Sequence, residues 1–198
     1  MKKGIIYISA NNEPFEIHDL CSRNIANKGL PIISVTHKPM QLGKNICVGD
    51  IGRSEKNIFL QIQIGCENID TDCIFWCESD TLYPPEHFLF NPENNSVWFN
   101  ENIWRWHKGF YIKKKNPSVC SLVANREFLL KITNYYLKNH PNIKDWKIKH
   151  NAKVFCTFQP IVNIFHKKGM HKFLSGVSGK YTRNIQYWPK STKLLKRK

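Results

Sequence analysis

The stretch CIFWCESDTLYPPEHF, residues 73–88, joins a buried strand pattern to an acidic end. Residues 72–77 have the length and apolar character of a strand that is covered on both faces. Two carboxylates one residue apart, Glu78 and Asp80, follow at once, and a Tyr-Pro-Pro turn comes after them. The sequence therefore predicts acidic side chains at the carboxyl end of a core strand.

Two similar strand-length runs precede this one, GIIYIS at residues 4–9 and LPIISV at 30–35. The segments between the three runs have apolar residues at helical spacing. The first helix is predicted to end at Gly29 and the second to begin after Ser54 as N-cap. Their apolar positions are Ile17, Leu20, Cys21 and Ile25 in the first and Ile58, Ile62, Cys66 and Ile69 in the second. Residues 36–53 are rich in turn-forming and polar residues and predict a loop. Apolar strands that alternate with helices predict an α/β fold, a mostly parallel sheet flanked by helices in a single domain.

The loops SANNEP (9–14) and THKP (36–39) open at the same predicted edge as Glu78 and Asp80. Ligands of open parallel sheets bind beyond the carboxyl ends of the strands. None of these loops has the glycine pattern that cradles phosphates, so a bound nucleotide would need a divalent cation such as Mg²⁺ or Mn²⁺. Acidic residues at strand ends also cap helices, and the pair alone leaves both interpretations open.

The net charge of +15 is concentrated in the second half of the chain. Residues 1–100 contain 8 Lys and Arg against 12 Asp and Glu, whereas residues 101–198 contain 22 against three. So basic a segment favours a polyanionic partner, and nucleic acid is the commonest one inside cells. The alternative is a solvated lysine-rich surface with a disordered basic tail at 191–198.

Cysteine usage and hydropathy predict a soluble, cytoplasmic protein. The seven cysteines are an odd number, spread along predicted core segments, which favours buried thiols over a disulfide scaffold or zinc cluster. No apolar run approaches the roughly 18 residues of a membrane span, and the N-terminus lacks the pattern of a secretory signal.

Several segments together resemble a family of small GT-A-type glycosyltransferases, many of them from bacteria and phages. They are residues 4–14, 29–46, 58–88, 100–104 and 121–130, and, less closely, PIVNIFH at 160–166 and YWP at 187–189. Family members carry a strand that ends in C-E-H-D-V-L-Y-x-P-x-H-F. This chain has Ser79 in place of the usual histidine and keeps the matching residues Cys77, Glu78, Asp80, Leu82, Tyr83, Pro85, His87 and Phe88.

The resemblance implies a nucleotide-sugar donor, expected to be a UDP-sugar, bound by the half formed by residues 1–100. Glu78 and Asp80 match the acidic metal-binding motif of the family, and His166 matches the histidine that completes its metal and diphosphate site; His171 is the competing choice. The donor-side matches are Ser9, Asn11 and Asn12 for the nucleoside, Lys44 and Asn45 for the pyrophosphate, and Gln61. Each of these polar residues could instead be a turn former or a cap.

In this fold the second half, here residues 101–190, faces the acceptor. Its basic residues are interleaved with aromatic ones: Trp104, Arg105, Trp106, Lys113, Lys114, Lys115 and Arg183. Lys and Arg contact phosphates while aromatic faces stack on unpaired bases. We therefore expect a phage-type enzyme, located in the host cytoplasm if phage-encoded, that glycosylates a 5-hydroxymethyl or 5-hydroxy pyrimidine in DNA. On a strand, one of Trp104 and Trp106 could instead be packed inside.

An inverting transfer needs a carboxylate base on the acceptor side. The basic half has Glu101, Glu127 and Asp145, and Glu127 is better explained by the dipole of the helix that follows Asn125. Glu101 and Asp145 remain, with Glu101 slightly favoured.

Other functions fit parts of the pattern. A glycosyltransferase acting on a glycan, lipid or protein would use the basic half against anionic polysaccharide or membrane phosphates. A non-enzymatic nucleic-acid-binding domain would account for Ser79 as a sign of a degenerate site. A metal-dependent nuclease is a weaker alternative, because such sites usually have more than one acidic pair.

Overall fold

The computed structural model of the protein describes residues 1–93, 95–139, 152–166 and 177–195, and within them the chain forms twelve β-strands and three α-helices. In chain order these are β1 (Lys3–Ser9), α1 (Phe15–Ala26), β2 (Ile32–Thr36), β3 (Lys44–Cys47), α2 (Glu55–Asn68), β4 (Cys73–Glu78), β5 (Thr81–Leu82), β6 (Val97–Asn100), β7 (Ile103–His107), β8 (Phe110–Lys114), β9 (Leu122–Asn125), α3 (Arg126–Asn139), β10 (Lys153–Phe155), β11 (Ile161–Ile164) and β12 (Val177–Thr182). Short 3₁₀ helices cover Pro85–Leu89, Val119–Ser121 and Ser191–Lys193.

The larger sheet has seven strands in the order β10-β6-β9-β4-β1-β2-β3. Its centre is parallel, because β1 pairs in parallel with β2 and β4, and β2 with β3. The register aligns Ile8 with Glu78 and Ser9 with Thr36, so the three central strands end at one level. The predicted fold class, a mostly parallel sheet flanked by helices, is confirmed.

A second sheet of five strands has the order β12-β8-β7-β11-β5. β5 begins at Thr81, directly after Ser79 and Asp80, which connect it to β4 of the larger sheet. Strands from both halves of the sequence enter both sheets, since β5 of the first half lies in the second sheet while β9 and β10 of the second half lie in the first. The change in charge near residue 100 therefore does not coincide with a boundary between sheets.

The two faces of the larger sheet are covered differently. Helices α2 and α3 cover one face, where Phe59, Ile62 and Ile132 pack against Ile6 and Trp76. The second sheet and part of α1 cover the other face in a cluster that contains Ile5, Phe75, Ile25, Ile103 and Ile161. Burial of strands on both faces explains why the sequence of β1 and β4 is continuously apolar.

The loop predicted over residues 36–53 was partly wrong, because β3 lies within it at Lys44–Cys47. Its four residues are exposed or half-buried, and an edge strand with so little buried surface leaves no apolar run in the sequence. The predicted start of α2 is confirmed: the Ser54 hydroxyl accepts a hydrogen bond of 3.2 Å from the Asn57 backbone N–H. None of the helices among the described residues has the length and apolar character that a membrane crossing requires.

His87 is a neutral imidazole in the core beneath the acidic loop. It is fully buried between aromatic rings, with its centroid 5.3 Å from that of Phe75 and 5.8 Å from that of the stacked Phe155. Its Nδ1 lies 3.4 Å from the amide nitrogen of Asn100. Burial, and then the charge of Lys28, lower the pKa of His87 to about 3.

This burial predicts an acid-sensitive core. Because the folded-state pKa of His87 is depressed, its contribution to stability is complete above its unfolded pKa of about 6.5 and is lost as the pH falls below that value. Between about pH 7 and pH 5 the loss amounts to about 2 kcal/mol. Urea denaturation at the two pH values measures the free energy of unfolding. Its decrease from pH 7 to pH 5 should be larger by this amount in the wild type than in His87→Phe, which keeps an aromatic ring and cannot titrate. Equal losses in the two proteins would show that the folded state accepts a proton on His87.

Candidate functional site

A cleft opens at the carboxyl ends of β1, β2 and β4, where the register brings the three strand ends together. Its polar lining comes from five places: the end of β1 and the loop after it, the loop after β2, the loop before α2 with the first turns of that helix, the segment from Glu78 to Asp80, and His166 after β11. The polar lining residues are Ser9, Asn12, His37, Arg53, Ser54, Glu55, Asn57, Gln61, Glu78, Ser79, Asp80 and His166. This is the edge at which open parallel sheets bind ligands.

Asp80 occupies the seam between the two sheets. Its Oδ1 accepts hydrogen bonds from the amide of Asn163 at 2.9 Å and from the Thr81 hydroxyl at 3.0 Å. Its Oδ2 lies 3.7 Å from Nε2 of His166, whose side chain is only 7% exposed. Its backbone carbonyl accepts from the N–H of Ile164 at 2.7 Å. The carboxylate therefore has one oxygen held by the second sheet and the other directed towards a histidine.

Both carboxylates of the acidic motif have raised pKa values, chiefly because they are buried. Burial, and then the charge of Asp80, raise the pKa of Glu78 to about 8, against a smaller opposing effect of Lys114. Burial also raises the pKa of Asp80, although the nearby His166 opposes this. Two partly buried acids at such close spacing favour a proton or a cation between them.

The hydroxyl of Tyr83 anchors the strand end that carries the acids. It accepts a hydrogen bond from the backbone N–H of Glu78 at 3.0 Å and donates one to the carbonyl of Cys120 at 2.8 Å. The backbone N–H of Tyr83 in turn donates to the side chain of Asn24 on α1, at 2.8 Å. Tyr83 and the buried His87 and Phe88 thus support the acidic segment from behind.

Glu13 is a site residue that the sequence analysis missed. Its side chain is 1% exposed, and its Oε1 accepts a hydrogen bond of 2.8 Å from the Ser9 hydroxyl. Burial alone would raise the pKa of Glu13, but contacts with His18 and Ser79 and the hydrogen bond from Ser9 lower it to about 2. Glu13 is therefore an ionised group that ties the loop after β1 to Ser79 of the acidic segment. An acid in the loop after the first strand was the available sequence signal.

Only some of the residues predicted to bind the nucleotide-sugar donor line the cleft. Ser9, Asn12 and Gln61 line the cleft, and the Gln61 amide also donates to the carbonyls of Ser9 and Val35 at 3.1 and 2.8 Å. Asn11 adopts a positive φ of 50° and accepts from the backbone N–H of Lys38, a turn role.

Lys44 and Asn45 lie on β3 and do not line the cleft. Asn45 is bound to its neighbours, since its amide donates to the hydroxyls of Ser34 and Thr36 at 2.9 Å each. The structure instead brings the basic side chains of Arg53 and His37 to the cleft. His37 belongs to the loop 36–39 that the sequence already placed at this edge, whereas Arg53 lies in the loop between β3 and α2, whose path only the tertiary fold decides.

The basic residues predicted on the acceptor side do not form one exposed surface. Arg105 is 2% exposed and Lys114 is 9% exposed, with the Lys114 ammonium bound to the Ser118 hydroxyl at 2.9 Å. Lys115 and Arg183 are exposed.

Trp104 and Trp106 are both half-buried, so neither is the fully packed member of an alternating pair. The indole N–H of Trp106 donates to the carbonyl of Ser191 at 2.7 Å, and that of Trp104 donates to Asn102 at 3.1 Å. Lys113 lies 5.7 Å from the Trp104 ring centroid. The buried residues of β7 are Ile103 and Arg105, and Arg105 lies between the two tryptophans.

The two candidate bases are not brought to the cleft by the described structure. Glu101 is exposed and precedes β7, whereas the cleft lies near the other end of that strand, roughly 13 Å away along it. Asp145 and the alternative metal ligand His171 lie outside the described residues. Among the residues that the structure describes, no group of three His, Cys, Asp or Glu side chains could hold a metal ion unaided.

Comparisons with known proteins show which class of fold the chain has. No family model and no curated protein matches the sequence. A glycosyltransferase involved in glycosylation of the major capsid of PBCV-1 is 10% identical, with a TM-score of 0.54 over 82% of this chain and 92% of that one. A nucleotidyl transferase from Methanothermobacter thermautotroptrophicus is 11% identical, with a TM-score of 0.51 over 80% and 88%. The chain has a GT-A-like fold.

Two longer neighbours match over part of their length. A glycosyltransferase from Streptococcus pneumoniae is 12% identical, with a TM-score of 0.49 over 78% of this chain. The chain spans about half the length of that protein, 46%, and of a bifunctional protein from Campylobacter jejuni, 49%. At sequence identities of 9% to 12%, the similarity to these solved structures is one of fold alone.

Removal of the Tyr83 hydroxyl should loosen the acidic segment. Tyr83→Phe leaves the N–H of Glu78 and the carbonyl of Cys120 without their buried partner, at a cost of about 1–3 kcal/mol. Urea denaturation should show this loss, whereas Tyr187→Phe, which removes a hydroxyl from a side chain that is 50% exposed, should change stability little. Equal stabilities of Tyr83→Phe and the wild type would mean that the hydroxyl does not anchor the strand end.

Proposed function

We propose that the protein is a metal-dependent glycosyltransferase that moves a sugar from a nucleotide sugar, a UDP-sugar, to a 5-hydroxymethyl or 5-hydroxy pyrimidine in DNA. The observation that carries the proposal is the position of Asp80. In a GT-A-like fold it stands at the carboxyl edge of the parallel strands, with His166 at 3.7 Å and Glu78 two residues before it. Such an arrangement suits a nucleotide diphosphate whose leaving group needs stabilisation.

The cleft offers separate places for the two parts of the donor. Ser9, Asn12 and Gln61 provide neutral polar groups for a nucleoside. Arg53 and His37 provide the basic groups for the pyrophosphate, in place of Lys44 and Asn45. An arginine recognises phosphate oxygens through paired N–H donors, which suits this position.

The residues around Asp80 fit a hard divalent cation, Mn²⁺ or Mg²⁺. The buried Nδ1 of His166 has no hydrogen-bond partner among the described residues, and the pKa values of Glu78 and Asp80 are raised, as expected where a positive charge would be favourable. Mg²⁺ is commonly bound by one or two carboxylates together with substrate phosphates, so a complete protein cage is not needed. Asp80 and His166 would hold the ion, with Glu78 behind them. When bound, it would neutralise the departing diphosphate.

The transfer breaks the bond between the anomeric carbon and the diphosphate oxygen and forms a bond from that carbon to the hydroxyl oxygen of the base. The hydroxyl proton must leave, and a carboxylate is the usual acceptor in an inverting reaction. The position of Glu101 at the far end of β7 does not support this role for it, so Asp145 is the carboxylate proposed to accept the proton. The chain's described residues contribute by orienting Asp80 through Asn163 and Thr81.

The distribution of charge supports DNA as the acceptor. Residues 101–198 contain 22 Lys and Arg and only three acids, and they supply most of the second sheet, on the far side of Asp80 from α2. We assign donor binding to residues 1–100 and acceptor binding to residues 101–190, followed by a basic tail at 191–198.

Mass spectrometry of nucleosides tests the proposal directly. DNA containing 5-hydroxymethyl pyrimidines is incubated with the protein, Mn²⁺ and a panel of nucleotide sugars, then digested. A base that gains the mass of a hexose or pentose is the expected result. Gain of a nucleotide mass would identify a nucleotidyl transferase instead. Sugar transfer to a glycan, lipid or protein but not to DNA would reject the DNA acceptor and retain the glycosyltransferase.

Asp80→Asn should abolish metal-dependent transfer, because the amide cannot supply the negative charge at Oδ2. The expected loss is at least about 100-fold, the scale on which preorganised charge contributes to catalysis. Binding of DNA, measured without donor, should change little. Asp70→Asn is the matched control, since it makes the same change at an exposed carboxylate outside the cleft. Full activity of Asp80→Asn would remove Asp80 from the catalytic site.

A further inference from the structure

Four side chains form a lateral row across the end of the second sheet. Phe165 follows β11, His107 ends β7, Phe110 begins β8, and Arg183 follows β12. The register places His107 opposite Phe110, and it pairs Ile164 with Trp106 and Thr182 with Tyr111, one position before Phe165 and Arg183. We call these four residues the ring row.

Side-chain contacts join the two outer pairs of the ring row, and the strand register places His107 opposite Phe110 in the middle. The His107 and Phe165 rings meet edge to face with centroids 4.9 Å apart. The guanidinium carbon of Arg183 lies 5.2 Å from the Phe110 centroid. With strands about 4.8 Å apart, the row spans roughly 15 Å. The row therefore places three rings and one guanidinium on four adjacent strands.

The hairpin between β7 and β8 projects one part of this row. Lys108 and Gly109 at its tip both have positive φ, 45° and 79°, as a tight two-residue hairpin turn requires. Phe110 is 38% exposed and Tyr181 beside it is 54% exposed. Large rings at the tip of a hairpin are available to a partner and are unusual on a surface that serves only solubility.

The inner end of the ring row reaches the acidic site. Phe165 immediately precedes His166, whose Nε2 is 3.7 Å from Asp80, and the Phe165 N–H donates to the carbonyl of Trp106 at 2.9 Å. The guanidinium carbon of Arg105 lies 5.9 Å from the Phe165 centroid. A ligand stacked along the row would therefore end beside the carboxylate.

The residues around the ring row carry positive charge. Burial, and then the charges of Lys108 and Arg105, lower the pKa of His107, which keeps its ring neutral and suited to stacking. Arg183 is exposed at the outer end. Three rings that end at a fixed cation match the bases and a phosphate of a polynucleotide strand.

We propose that the ring row binds an unpaired stretch of nucleic-acid strand and leads it to Asp80, so that the acceptor base is presented outside a duplex. This inference rests on the proposed function, because it takes Asp80 to be the place where the sugar is transferred. Binding of the strand can be measured without catalysis. Paired bases hide their faces in the stack, whereas unpaired bases can lie on side-chain rings.

Fluorescence anisotropy with a labelled single strand, the corresponding duplex and heparin tests the proposal in the full chain without a nucleotide sugar. Phe110→Leu removes the ring and keeps an apolar side chain, and it should weaken single-strand binding about tenfold, as the loss of one stacking ring does. Phe110→Trp should retain binding. Arg183→Ala should weaken binding and reduce the salt dependence by about one ion.

Matched controls make the same changes elsewhere. Phe158→Leu alters a phenylalanine that is 70% exposed, and Arg23→Ala removes an exposed arginine of α1. Both should leave the affinity for the single strand unchanged. Thermal unfolding of every variant checks that the fold is kept, and the comparison of Phe110→Leu with Phe110→Trp remains valid if one of the alanine variants does not fold.

Three results would overturn the proposal: equal effects of Phe110→Leu and Phe158→Leu, a duplex bound as tightly as the single strand, or an equal loss of heparin and single-strand binding in Phe110→Leu. Ring-dependent DNA binding without sugar transfer would reject only the glycosyltransferase. Sugar transfer without ring-dependent binding would reject only the ring row.

Discussion

The structure depends on a two-residue connection between its sheets. Ser79 and Asp80 join β4 of the larger sheet to β5 of the second, and hydrogen bonds from Ile164 and Asn163 hold Asp80 against the neighbouring strand. A connection so short leaves the carboxylate few positions, because both of its flanking strands are paired. The acidic motif is therefore oriented by the architecture itself, and the cleft forms around it.

This arrangement concentrates negative charge where burial makes it unfavourable. Glu78 and Asp80 have raised pKa values, whereas the pKa of the nearby Glu13 is lowered by contacts with His18 and Ser79 and by a hydrogen bond from Ser9. A fold selected for stability alone would not need partly buried acids at one strand end. Local rules of this kind are most often broken at functional sites, which is why the unfavourable charge supports a binding or catalytic role.

The second sheet serves two purposes that the sequence does not separate. Some of its basic and aromatic residues are structural: Arg105 and Lys114 are buried, and the indole of Trp106 is bound to a backbone carbonyl. Others lie in the ring row, where cross-strand neighbours bring together residues far apart in the chain, such as Phe110 and Arg183. Composition predicts a basic surface, but pairing of strands decides which rings and cations share it.

The sequence by itself determined the α/β class, the three central strands, the start of α2 at Ser54 and the acidic end of β4, because apolar runs, caps and turns act over a few neighbouring residues. Only the tertiary structure decided that β3 pairs at the edge, that Arg53 and His37 replace Lys44 and Asn45 in the cleft, and that Glu101 lies away from it. The same holds for Glu13, whose ionised state follows from contacts with Ser79, distant in sequence. Register and burial are set by long-range pairing, and a one-dimensional pattern does not contain them.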